Sequence, residues 1–129
     1  MVVRIASMVL RIAGVLALIL GILNWTKVTG DSLRDIHMLL GIIVVLALWV
    51  LGALIVSSRG GQGLGIAAFI VGLIVVGFGV RQEAIFPAPN VHWIIQVMHL
   101  ILGLLAIGMG EMITARYKKR VMVATQKAE

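Results

Sequence analysis

Residues 33–56, LRDIHMLLGIIVVLALWVLGALIV, run for 24 positions with charge only at Arg34 and Asp35 and one further titratable side chain, His37. A helix rises about 1.5 Å per residue, so about 20 such residues cross the roughly 30 Å of hydrocarbon in a bilayer. Lipid offers the backbone no hydrogen-bond partner. The stretch also lacks the apolar–polar alternation of a barrel strand, so it reads as a transmembrane helix. Three more runs have this character, approximately residues 5–25, 64–80 and 91–114. The fold expected is therefore all-α, an integral membrane four-helix transmembrane bundle. It forms a single domain over residues 1–129, with a basic tail over 115–129.

Composition agrees and narrows the chemistry. Of 129 residues, 61% are hydrophobic and 12% charged, whereas soluble domains carry about 45–50% apolar and about 25% charged residues. With no cysteine there is no disulfide, thiolate zinc site, cysteine nucleophile or iron–sulfur cluster. Any metal must be held by His, Met or oxygen. No Ser/His/Asp set, phosphate loop or carboxylate pair is present either.

The connections carry helix punctuation. Asp31 or Ser32 is placed to cap the second span and Asn90, after Pro87 and Pro89, the fourth, while Ser57 to Gly63 forms a tight turn between the second and third. Arg4, Arg11, Arg59, Arg116, Lys118, Lys119, Arg120 and Lys127 fall on one side, and only Lys27, Arg34 and Arg81 on the other. Positive charge is retained on the cytoplasmic side, so both termini are expected there, in a bacterial inner or plasma membrane. Short basic clusters beside a span serve topology and anionic lipid, so Tyr117 to Arg120 implies no nucleic acid.

The two halves of the chain match. Ile36-His37-Met38-Leu39-Leu40-Gly41 aligns with Met98-His99-Leu100-Ile101-Leu102-Gly103 at an offset of 62 residues. The first and third spans align at an offset of 58, pairing Gly14 with Gly72, Gly21 with Gly79 and Asn24 with Gln82. The second and fourth spans run the same way, so the expectation is two parallel helix-pair repeats about an axis along the membrane normal. His37 and His99 then share a depth, about 9 and 13 Å into their helices counted from the expected caps.

A buried polar side chain in hydrocarbon is costly unless something satisfies it, and here two are placed symmetrically. Two imidazoles on opposed helices are suited to be the trans axial ligands of a haem iron, and without cysteine the haem would be the non-covalent b type. Gly41 and Gly103 lie one turn beyond each histidine on the same face and leave room for a flat macrocycle. Gly14 with Gly21, and Gly72 with Gly79, are seven apart and line one face of their helices to receive its edges. Arg34, three before His37, is placed to pair with a propionate, with Lys27 and Arg81 as weaker candidates. His92 lies seven before His99, where it would meet a propionate or the interface. The plainer reading of the histidines is packing, with bonds to Ser, Asn or water, and that of most glycines is close helix approach.

Other residues have structural readings. Trp25 and Trp93 suit an aromatic belt. Met38 and Met98 point about 100° away from the histidines and are read as packing. Glu111, deep in the fourth run, is expected to snorkel and pair with Arg116.

His37 with Gly41 and His99 with Gly103 on alternate spans resembles the membrane b-type cytochromes. These include the ascorbate-reducible transmembrane cytochromes and the cytochrome b subunits of hydrogenases and dehydrogenases. Those are helical bundles that hold haem b between histidines of different helices and pass electrons across or along the membrane. They commonly hold two haems, one near each face, whereas here no histidine lies in the cytoplasmic half. The resemblance thus implies a single-haem electron carrier near the outer face, rather than an enzyme with its own substrate. Its partners would be the bilayer, haem, and a redox protein or quinone, with a homodimer as a further option. The alternatives are a haem-shuttling or small-solute transport protein, or a non-catalytic assembly or anchor subunit.

Overall fold

The structure, a computed structural model, describes residues 1–28, 33–58, 60–85 and 92–126, and only the backbone of 82–85, 92 and 125. The expected caps Asp31, Ser32 and Asn90 lie outside these residues. Four helices follow one another: α1 (Val2–Trp25), α2 (Arg34–Val56), α3 (Gln62–Ile85) and α4 (His92–Gln126). Each holds a segment long and apolar enough to cross a membrane, so the chain is a multi-pass membrane protein built as a four-helix bundle.

Consecutive helices pack side by side, α4 closes the ring against α1, and α2 touches α4 across the diagonal; among the described residues α1 and α3 do not meet. The histidine-bearing helices are therefore the central pair. They run parallel and in register, because His37 meets His99 near one end and Arg120 donates to Ser58 Oγ near the other. Both contacts join residues 62 apart.

Packing differs along the bundle. Leu10 of α1, Leu48, Leu51 and Ile55 of α2, Ala68 of α3 and Ala106 and Ile113 of α4 form a closed core toward the α2–α3 turn. In lipid the drive for helices to associate is close van der Waals contact at small residues. Gly110 supplies one such contact: a Cβ there would lie 2.6 Å from a methyl of Leu10. The buried hydroxyls of Ser7 and Thr114 donate to Arg4 O and Gly110 O of their own helices, so they leave no polar debt in this core.

Two helices run past the ends expected from the sequence; α3 reaches Ile85 rather than 80. The fourth helix runs to Gln126 rather than stopping near Thr114, so the basic residues Arg116 to Arg120 are helical. Hydropathy falls there but helix propensity does not, since no Gly or Pro interrupts Ala, Arg, Lys and Met. At about 1.5 Å per residue its 35 residues reach about 52 Å, well beyond the hydrocarbon. The first helix ends in a Schellman-type closure, in which Val28 N–H donates to Leu23 O and Lys27 N–H to Asn24 O. Lys27 takes the left-handed conformation (φ 55°) that glycine usually fills.

Candidate cofactor site between α2 and α4

His37 sits one turn into α2, where α1 presents two small residues, Ala17 and Gly21. The missing side chain of Gly21 lets the imidazole approach; a Cβ there would lie 3.0 Å from His37 Cε1. The ring then reaches the α1 backbone, with Nδ1 2.9 Å from Ala17 O. A carbonyl only accepts, so Nδ1 carries the proton and donates, and the neutral ring keeps a lone pair on Nε2.

His99 of α4 lies against Gly79 of α3 in the same manner, with a Cβ at Gly79 3.4 Å from its Cε1. The two imidazole centroids are 6.1 Å apart and their planes cross at 65°. His99 Nδ1 is buried without a hydrogen-bond partner among the described residues, as is Asn24 Oδ1.

A cavity of about 290 Å³ opens around the two rings, with Gly21, Gly41, Gly79 and Gly103 on its walls. A Cβ built on Gly41 or Gly103 would meet nothing within 4 Å. The walls are mostly apolar, and the polar groups Asn24, Arg34 and Gln96 gather at the end nearest the α1–α2 connection. The rim is open to the side, where Ile22, Ile42 and Leu104 are about half exposed.

Of the residues singled out from the sequence, His37, His99, Gly41, Gly103, Gly14 and Arg34 line this one cavity. Gly72 does not. It is buried against the Trp49 indole, because the helix facing it at that depth is α2 with its largest side chain. The side chain of His92 is outside the described residues. Ala17 was not anticipated, since its role is played by a backbone carbonyl; the only sequence signal is its spacing from Gly21, a small-x-x-x-small pair.

Glu111 pairs with Arg11 of α1 rather than with Arg116. The guanidinium donates twice to the carboxylate, at 2.5 and 2.6 Å. The two residues face each other across the α1–α4 seam, and a fork-to-fork geometry outcompetes a partner one turn along the same helix. At the corresponding seam between α3 and α2, Trp49 stacks on Phe69 with centroids 5.9 Å apart and donates from Nε1 to Phe69 O.

Among the described residues no group of three or more His, Cys, Asp or Glu side chains is placed to hold a metal ion. Compared with known protein families, with curated proteins and with solved structures, the chain matches none.

Proposed function

We propose that the chain is a single-haem b-type cytochrome of the membrane, with His37 and His99 as axial ligands and electron transfer as its role. The observation that carries this is the pair of imidazoles facing each other from α2 and α4 at 6.1 Å across a glycine-walled cavity. Imidazole nitrogens on two facing helices are the donors that a haem iron would use. A donor set of two suits a metal that brings its other ligands with it, as haem iron does from its macrocycle.

Each residue has a part to play. Ala17 O fixes the His37 tautomer that leaves Nε2 free to ligate and raises the basicity of the ring. Gly41 and Gly103 keep the space beside the imidazoles clear. The apolar wall and rim would take the macrocycle, and Arg34 at the polar end would offer a cation to its carboxylates. The haem would supply one-electron redox chemistry. Two protein ligands leave no open coordination position in the resting protein, which favours electron carriage over turnover of a bound substrate.

Internal duplication supports the symmetric ligand pair. The 58- and 62-residue offsets that relate His37 to His99 and Gly21 to Gly79 also relate Arg11–Glu111 to Phe69–Trp49, and both pairs are in contact. The basic bias puts the termini in the cytoplasm and the histidines in the outer leaflet of a bacterial inner or plasma membrane. The opposite half contains no histidine, so electrons would enter and leave on the outer side, through a redox protein or a quinone. A solute path would call for a polar cavity at mid-membrane; this one is apolar and near one end.

The test is an absorption spectrum of the detergent-purified protein, oxidised and dithionite-reduced, beside His37→Ala and His99→Ala. Sharp reduced bands of low-spin haem b, lost or turned high-spin in each variant, are expected. A colourless wild type, after haem has been supplied, would move the weight to transport or assembly.

A further inference from the structure

The two histidines are related by the repeat but are not equally held. His37 is anchored: Nδ1 donates to Ala17 O at 2.9 Å and the ring is pressed on Gly21. Among the described residues His99 has no such anchor, and its Nδ1 is buried without a partner there. Its contact with Gly79 is also looser, 3.4 Å against 3.0 Å for the hypothetical Cβ.

The sequence supplies a cause. Position 75 on α3 stands 58 residues after Ala17, so Val75 O is the counterpart of the carbonyl that holds His37. Val75 is buried on the wall of the same cavity, and it carries two methyl groups where Ala17 has none beyond Cβ. The cavity wall is therefore bulkier at this position of α3 than at the matching position of α1. A hydrogen bond from the second ring nitrogen orients a ligating imidazole and strengthens its bond to metal, and an imidazole lacking one is the weaker ligand.

We infer that His37 would be the permanent protein ligand and His99 an exchangeable one, so that the haem-loaded ferrous protein takes up a small neutral two-electron donor, carbon monoxide, on the α4 side. This rests on the haem reading above and adds a ligand-responsive function to it. In the exchange carbon monoxide would take the place of His99 Nε2 on the iron; both are neutral two-electron donors, so no electron or proton changes hands. The displaced imidazole stays between Gly79 and the cavity, ready to return when the diatomic leaves.

The experiment is a carbon monoxide titration of the full-length, haem-loaded, dithionite-reduced protein in detergent, with haem content measured in parallel. Wild type should form a carbon monoxide spectrum. His99→Ala should keep near-stoichiometric haem in a high-spin state and bind carbon monoxide at least tenfold more readily. His37→Ala should weaken haem binding at least tenfold. Per haem bound, Val75→Ala, which restores the alanine of the other repeat, should slow carbon monoxide uptake several-fold, and Ala17→Val should hasten it. Haem-replete wild type that forms no carbon monoxide spectrum, or equal haem loss in the two histidine variants, overturns the inference and leaves the cytochrome standing. A wild type that takes up no haem overturns both.

Discussion

The half of the bundle toward the α2–α3 turn and the half that holds the histidines are built from the same four helices but closed differently. In the first, Leu10, Leu48, Leu51 and Ile55 are fully buried, and glycines such as Gly110 bring helices into direct contact. In the second, Gly41 and Gly103 meet nothing within 4 Å, and half-exposed side chains rim a cavity of about 290 Å³. Glycine thus does two jobs along one helix. Gly52, whose hypothetical Cβ lies 3.2 Å from Ala68, allows α2 and α3 to touch, while Gly41 three turns away keeps space open beside His37. The first half packs the helices together, and the second leaves a cavity around the two histidines.

Substitutions should expose this division. The largest effect on the unliganded fold is expected from Leu48→Ala, which empties a fully buried site in the closed half and should cost about 2–5 kcal/mol in reversible detergent unfolding. In the open half, Gly41→Leu and Gly103→Leu should leave the unliganded protein within about 0.5 kcal/mol of wild type, since the new side chain enters open space, yet abolish haem binding. If they unfolded the protein as Leu48→Ala does, the contrast between the halves would fail.

The ion pair tests the α1–α4 seam. Glu111→Gln and Arg11→Gln should each lower stability by leaving a charge unmatched within a membrane-spanning segment, and the double variant should recover part of the loss. A coupling energy from the cycle indistinguishable from zero would mean that the pair is ornamental. The smallest effect is expected outside both halves, at Lys27. A left-handed residue with a side chain is strained by about 1–2 kcal/mol, and glycine returns about 0.5–1 kcal/mol of that as backbone entropy. Lys27→Gly should therefore stabilise by about 0.5–1 kcal/mol in the same unfolding measurement.

The four helices are the part most legible in the sequence. Unbroken apolar runs announce four helices whatever their packing, because lipid permits no other backbone. Helix ends were less legible: α4 outlasts its apolar run since propensity, not hydropathy, carries it through Arg116 to Gln126. The histidines and Gly41 and Gly103 could be placed on one site because a 62-residue offset survives in their letters. What the letters do not carry are backbone partners and the reach of large side chains. Ala17 acts through its carbonyl, and Gly72, though spaced seven from Gly79, is claimed by Trp49 of the neighbouring helix. Glu111 illustrates a third limit, for a partner 100 residues away was invisible beside a plausible one five residues on.

We propose that one haem held between two imidazoles completes the open half. The most direct measurement is a haem titration of the purified apoprotein, with stoichiometry from the pyridine haemochrome and ligation from electron paramagnetic resonance of the oxidised product. The account predicts saturation at one haem per chain with a low-spin bis-imidazole signal. Saturation at two haems, a high-spin product in the wild type, or no binding at all would contradict it.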